Sequence, residues 1–515
     1  MTARRRLACF TALLVIVLAA IAPTVRAQEG PRELTMVLTR DPVTFDPHGP
    51  LDPSGPVILS YVYDTLLYQN QQEEIVPLLA REWQVSDDGH VITFTLRDDV
   101  VFSNGAPVNA DAVIFTFERL QQSSARSLIS TEIANIASFE KVDDLTVRFI
   151  LTEPSVTLLS ALTYAYAAIL EPGAVEAAGD NYGTQPVGSG PFILSEWVQG
   201  TGLTLVQNPL YNGHRPIDSE GGPVDLDTVH IRFTADQTTR VNGLLSGEVD
   251  IAYITTVPLL APLKDDPNFS VLDDPSRGFI FLGFNMARAP FDDLALRQAV
   301  AHAINKQEIV DLARDGLGVV TNTPIPPSIF GYNPELESET PVFDLEAARR
   351  LVAAAGYGPE KPLEITLLTS TFPTYEAMAT VVQAQLAAVG ITVNIEVLDY
   401  GGMVAAAGEG NFDLMLTRLD WNDPDLLRVY FAADASANRY GYANPEFDAL
   451  TNEGRRTFDP EARFAIYTEA QRIMLQDLPI IPLHMPITNV VVNNRIEGVE
   501  LVHSHISLEN ARIVR

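Results

Sequence analysis

A helix that stops at a glycine and gives way at once to an alternating strand is the pattern that most constrains this chain. Tyr375 to Val389 carries Met378, Val381, Val382 and Leu386 on one face, and Gly390 ends it. Ile391, Val393, Ile395 and Val397 then alternate strictly with polar residues, and Leu363 to Thr369 precedes the helix as a further strand. The same order occurs much earlier. Val229, Ile231 and Phe233 alternate, a polar helix runs from Asp236 to Leu245, Gly247 stops it, and Val249 to Ile254 is an apolar strand. Strand–helix–strand is the unit of a parallel sheet, because parallel neighbours need a long crossover. Two such units far apart in sequence predict two α/β lobes.

The stretch from 67 to 185 has another texture. Ile92, Phe94 and Leu96 alternate, as do Leu145, Val147, Phe149 and Leu151, with one helix candidate, Ala110 to Gln121, between them. This reads as an α+β insert. Later, Leu294 to Ala313 places Val300, Ile304 and Val310 at helical spacing, and Asp344 to Ala355 opens on an N-cap and ends at Gly356. A chain of 515 residues exceeds one ordinary domain, and 46% hydrophobic residues with 23 Phe and 16 Tyr supply a large core.

Residues 1–27 have the layout of an export signal. Arg4-Arg5-Arg6 is followed by an almost wholly apolar run from Leu7 to Val25, and Val25-Arg26-Ala27 offers a cleavage site before Gln28. Cleavage near Ala27–Gln28 is expected. The competing reading is a retained anchor, since the run approaches the roughly 20 residues that span a bilayer; twin-arginine export is a third. The single cysteine, Cys9, precedes most of the apolar run, so no lipoprotein cysteine is expected, and the mature chain has no thiol for disulfides, zinc or nucleophilic attack. The leader holds four arginines and no acid, so the mature chain is more acidic than the net −32 of the whole. That charge argues against a nucleic-acid partner, which requires a positive stripe.

Nucleophile elbows, P-loops, paired zinc histidines on a helix and dinucleotide glycine fingerprints are absent from the sequence. Gly188-Ser189-Gly190-Pro191 lacks the third glycine of a phosphate loop and reads as a tight turn before a strand from Phe192 to Leu194. His503 and His505 can share a strand face, but they lack the acidic or thiol partners that complete the usual three or four ligands. No metal and no cofactor is expected.

The segment Asp420-Trp421-Asn422-Asp423-Pro424-Asp425 follows an apolar strand, Phe412 to Leu416, and so lies where open α/β sheets bind ligands. A carboxylate there suits an ammonium group, and Trp suits an apolar side chain or a sugar face. Asp423-Pro424-Asp425 has turn and cap chemistry, with Asp425 placed to cap a helix through Tyr430. An EF-hand loop is excluded by the missing glycine and terminal Glu.

Together with other segments, this stretch resembles the extracytoplasmic solute-binding proteins of family 5, which serve ABC importers of peptides, nickel and some sugars. The resemblance rests on Thr44-Phe45-Asp46-Pro47-His48, Tyr63-Asp64-Thr65-Leu66, Pro77-Leu78-Leu79-Ala80, Trp83, Ser86-Asp87-Asp88-Gly89, Phe94-Thr95-Leu96-Arg97 and Phe102-Ser103-Asn104-Gly105. It continues through Gly188-Ser189-Gly190-Pro191-Phe192, Ser246-Gly247-Glu248-Val249-Asp250, Asn285, Pro290-Phe291 and Leu296-Arg297-Gln298-Ala299. It implies an α/β, type II periplasmic-binding-protein-like fold, with two hinged lobes and an α+β domain inserted in the first. The implied division is 28–66, 186–278 and 485–515 for the first lobe, 67–185 for the insert and 279–484 for the second lobe.

Peptide-binding relatives hold the ligand's α-ammonium with a carboxylate in a W-x-x-D-Y-P-D-P-D-like segment, which falls on Asp420. Here Thr417, Trp421 and Asn422 stand at the Trp, Tyr and Pro positions of that pattern, which weakens the peptide assignment and leaves a sugar open. Trp421, Asn422 and Tyr400 are further ligand candidates. Tyr63 and Asn285 follow, with packing as their competing role. The implied protein is a monomeric, exported binding protein without enzymatic activity, whose partners are a peptide or similar solute and an ABC permease. A secreted hydrolase using Asp420 and Asp423 is the alternative from another class, and a peptide sensor is a third.

Overall fold

The computed structural model describes residues 31–50, 55–123, 129–216, 222–275, 277–502 and 505–514. The expected leader with Cys9 and the Ala27–Gln28 junction, and His503 of the histidine pair, lie outside the described residues.

A sheet of 12 strands forms the spine. From one edge its order is Ile391–Leu398, Leu363–Ser370, Leu414–Leu419, Phe279–Phe284, Ile480–Asn493, Ile251–Ile254, Glu33–Leu38, Thr228–Phe233, Gly202–Gln207 and Phe192–Val198. Phe269–Pro275 and Gly318–Val320 also pair with Ile480–Asn493. That 14-residue strand serves both halves of the sheet. Its start lies antiparallel to Phe279–Phe284, with Gly283 opposite Ile480, and its end lies against Ile251–Ile254, with Ile251 opposite Val492.

The two strand–helix–strand units form as their sequences require, in different ways. In one, Asp236 accepts from the Thr239 amide at 2.7 Å to start the helix Gln237–Ser246. Gly247 closes the helix in the left-handed region at φ 77°, which a glycine adopts without a Cβ penalty. The flanking strands do not pair with each other: Glu33–Leu38 lies between them, parallel to both. In the other, Leu363–Ser370 and Ile391–Leu398 are direct parallel neighbours, Leu363 opposite Ile391, and the helix Pro373–Ala387 crosses between them.

A second, antiparallel sheet of four strands is built from Ala80–Val85, Val91–Leu96, Thr146–Leu151 and Ile136–Asp143. The alternation puts Ile92, Phe94, Leu96, Val147, Phe149 and Leu151 into its own core, beneath the helix Ala110–Gln122. Phe149 meets Phe94 and Phe117 edge-on, with centroids 5.0 and 5.1 Å away. Full burial of such a side chain stabilises by roughly 1.5–3 kcal/mol.

Three local expectations are corrected. The single helix predicted from Leu294 to Ala313 is two, Leu294–Ala303 and Lys306–Arg314. Ile304 turns to extended backbone, and Asn305 caps the second helix by accepting from the Glu308 amide. The Gln385 side chain holds this break open by bonding both the Asn305 amide and its carbonyl. The strand expected from Phe412 begins at Leu414 and runs to Leu419. Asp425 occupies the N-cap position of the helix Leu426–Phe431, but its carboxylate does not cap. It receives Arg428 at 2.9 and 2.6 Å instead.

Candidate functional site

The strand Leu414–Leu419 delivers the central charged pair. Successive side chains on a strand alternate in direction. Thr417 and Leu419 are buried, whereas Arg418 and Asp420 face the open side. They border a cavity of about 400 Å³, within the range of small-ligand sites. The Arg418 guanidinium donates to Asp420 Oδ1 at 2.5 Å, and the two side chains remain 36% and 57% exposed. Gly278 lies against this turn. A Cβ there would run into Asp420 Oδ1 and the Leu419 carbonyl, so the close approach requires glycine.

Trp421 is half-buried on the cavity wall and stands edge-on to Tyr430, with centroids 6.4 Å apart. Asn422 also borders the cavity, but its amide donates to Gln69 Oε1 at 3.2 Å, across to the segment that leads into the second sheet. Tyr63 contributes to the wall, while its hydroxyl donates to the Phe45 carbonyl at 3.0 Å and meets the Tyr182 hydroxyl at 3.1 Å. Tyr400 and Asn285 do not border the cavity. Tyr400 starts the helix Tyr400–Gly408 and is 63% exposed. Asn285 is buried and ties down the chain by donating to the carbonyls of Gly410 and Phe412 at 3.1 and 3.0 Å.

Asp423 is turned away from solvent. Its carboxylate accepts from Ser160 Oγ at 2.8 Å, from Arg463 at 2.6 Å and from the Asp425 amide at 2.8 Å. The hydrolase reading needs two carboxylates facing one bond, roughly 5–10 Å apart. Asp423 is saturated by its own neighbours and does not present that second face.

The opposite wall holds a charge cluster that the sequence reading passed over. Asp64 has a fully buried side chain and accepts from Arg215 at 2.7 Å and from Ser189 at 2.8 Å, with His214 Nε2 at 3.0 Å. Arg215 also pairs with Glu509 and donates to the carbonyls of Ser60 and Tyr63 at 2.6 and 2.9 Å. Burial alone raises the Asp64 carboxyl, but Arg215 and His214 outweigh it and hold it well below the carboxylate range. Ser, His and Asp meet here in the wrong order for a nucleophile. The carboxylate sits between serine and histidine, so no base touches Ser189. Asp64 belongs to the quoted Tyr63-Asp64-Thr65-Leu66 run, but nothing local in the sequence pairs it with residues 125 to 151 positions away.

Gly188-Ser189-Gly190 owes its glycines to this contact. The Gly190 amide donates to the Val62 carbonyl at 2.9 Å, and a Cβ at Gly190 would stand 2.7 Å from the Val62 carbonyl carbon. Phenols complete the wall: burial pushes Tyr68 and Tyr164 up, so both stay neutral and offer aromatic surface with one polar tip each. Arg277 crosses to Glu73 at 2.7 Å. Among the described residues no group of three or more His, Cys, Asp or Glu is placed to hold a metal ion. The arrangement is that of a binding cavity with a polar anchor and aromatic walls.

Residues 74–440 match the family of bacterial extracellular solute-binding proteins, family 5, over its middle region. The chain belongs to this family. Among the relatives of this family 5 protein are di/tripeptide-binding protein 2 of Pseudomonas aeruginosa, 29% identical over 92% of this chain and 93% of the other, and di/tripeptide-binding protein 3 of the same organism, 30% identical over 79% and 80%. Among solved structures, HbpA2 of Haemophilus parasuis superposes with a TM-score of 0.85 at 25% identity, covering 94% of this chain and all of that one. DppA of Helicobacter pylori in complex with the peptide STSA gives 0.74 at 28% identity over 93% and 98%. The fold is that of the type II periplasmic binding proteins, mixed α/β with one large sheet. Members of family 5 are solute-binding components of ABC importers, and this chain is one of them. No helix among the described residues is long and apolar enough to cross a membrane.

Proposed function

We propose that this protein captures a short peptide, delivers it to a membrane permease, and anchors the peptide's α-ammonium on Asp420. The observation that carries this reading is Asp420 itself, an accessible carboxylate at the end of a central strand, opening into a cavity of about 400 Å³. The printed names of relatives from Pseudomonas aeruginosa and the peptide in the Helicobacter pylori complex support peptide as the solute. In a water-poor cleft the ion pair gains strength, and it must offset the desolvation of both partners. Backbone groups of an extended peptide are read alike in every sequence, which leaves side-chain specificity loose. The sugar alternative draws on Trp421, but the Asn422 amide it would use is committed to Gln69.

The chain divides on this reading into a first lobe (28–66, 186–278 and 485–515), an insert (67–185) and a second lobe (279–484), hinged along Ile480–Asn493. Closure on the ligand is then a population shift toward the state that touches it from both sides. The protein acts as an exported, periplasmic monomer with a cleaved leader and no lipid anchor, and it makes or breaks no bond. Calorimetry with a dipeptide library on wild type and Asp420→Asn tests the anchor. The variant should lose about tenfold or more in affinity, the scale of one charged hydrogen bond. Unchanged affinity would remove Asp420 as the anchor.

A further inference from the structure

The anchor carboxylate is already paired within the chain. Arg418 and Asp420 point to the same side of the strand end, two residues apart, and their ion pair faces the cavity with both side chains partly exposed. The other charges in the wall are locked more deeply. Asp64, Arg215 and Glu509 have side chains 8% exposed or less and satisfy one another, and Arg277 is held by Glu73. A ligand reaching Asp420 therefore meets a carboxylate already paired with Arg418, not a bare one.

This pairing sets a condition on the ligand. A lone ammonium approaching Asp420 either displaces Arg418 from the carboxylate and gives up that ion pair, or shares the carboxylate with it at the cost of like-charge repulsion. A ligand that brings an anion beside its ammonium meets neither cost. Its ammonium takes Asp420, its carboxylate takes the guanidinium, and one internal pair is exchanged for two intermolecular ones with no change in net charge. Arginine is suited to the second contact because its planar fork matches a carboxylate.

We infer that Arg418 is a specificity-determining residue and that the preferred solutes carry a carboxylate next to the α-ammonium: dipeptides with an acidic first residue, or γ-glutamyl compounds, which keep both charges on one carbon. The inference rests on the peptide reading above and narrows it to a class of acidic-headed peptides.

The test is calorimetry on the full mature chain with four probes: Asp-Ala, Asn-Ala, Ala-Ala and γ-glutamyl-alanine. Asp-Ala and Asn-Ala have nearly the same shape and differ in the charge at issue. Wild type should bind Asp-Ala and γ-glutamyl-alanine about tenfold or more tighter than Asn-Ala and Ala-Ala. In Arg418→Gln the preference should vanish or invert, since Asp420 is then open to a plain ammonium and repels an acidic head. Arg418→Lys keeps the charge without the fork, so it should keep part of the preference, and it guards against a folding defect in the Gln variant. Equal affinities for Asp-Ala and Asn-Ala in wild type, or a preference that survives in Arg418→Gln, overturn the inference while leaving peptide binding intact. Failure of every probe to bind overturns the peptide reading and this inference with it.

Discussion

His484 lies on the strand shared by both halves of the sheet, fully buried, with neither ring nitrogen hydrogen-bonded among the described residues. Burial first, then Arg314 and Arg418, pushes its imidazole down to about 4. The folded value lies below that of an unfolded histidine, about 6.5. As pH falls below about 6.5 the unfolded chain takes up the proton first, and stability is lost progressively down to about 4. His484→Leu removes that linkage and a polar group without partners, so it should raise Tm at pH 5 relative to wild type more than at pH 7.5. Equal shifts at both pH values in thermal melts would refute this. At the same scale, Asp64→Asn leaves Arg215 with one of its two carboxylates in a dry setting. The expected loss is about 3–5 kcal/mol, read from the urea midpoint. A loss below about 1 kcal/mol would mean the cluster is not the strut its geometry describes.

Elements of this chain were legible where their signals are local. The helix start at Asp236, the cap at Asp344, the stops at Gly247, Gly356 and Gly390, and the alternation in Val91–Leu96 and Ile391–Leu398 all act within a few residues. The break between Leu294–Ala303 and Lys306–Arg314 was not legible. Its apolar spacing is continuous, and the partner that stabilises the interruption, Gln385, is 80 positions away. Asn305→Ala should therefore cost about 0.5–2 kcal/mol as a lost cap, measured by denaturant midpoint at unchanged m. Gly190→Ala tests a different kind of element. Its φ is ordinary, so the expected cost of about 1–3 kcal/mol comes from crowding the Val62 carbonyl. A neutral substitution would show that the approach relaxes freely.

At the scale of the whole molecule, contacts join the four-stranded-sheet region to the segment from 420 to 463. Ser160 reaches Asp423, Gln69 reaches Asn422, Glu153 meets Arg455 and Arg456, and the Val156 amide donates to the Arg455 carbonyl at 2.9 Å. If the proposed hinge operates, these bonds form as the cleft closes and add to ligand affinity without touching the ligand. Ser160→Ala is the mildest probe, because Asp423 keeps Arg463 and the Asp425 amide. It should weaken peptide binding about three- to tenfold with little change in Tm. An unaltered Kd in calorimetry would place these contacts outside the closing motion.

The candidate site divides in the same way. Asp420 was readable from its place after an apolar strand, and Trp421 and Asn422 came with it because neighbours in sequence at a strand end share the opening. Tyr400 and Asn285 shared only the chemistry of a ligand contact, and the structure places both outside the cavity wall. Asp64 with Arg215 and Glu509, and the crossing of Arg277 to Glu73, had no local signature. By itself the sequence determined several of the helices and strands, some of their stops, and the family resemblance, since periodicity, capping and ordered motifs are written along the chain. Only the tertiary structure decided that Glu33–Leu38 lies between two strands some 200 residues later, that Ile480–Asn493 serves both halves of the sheet, and that Asp420 is already paired with Arg418. These depend on which surfaces meet once the chain is packed, and distant partners are chosen by burial and charge pairing in three dimensions, for which spacing along the chain carries no code.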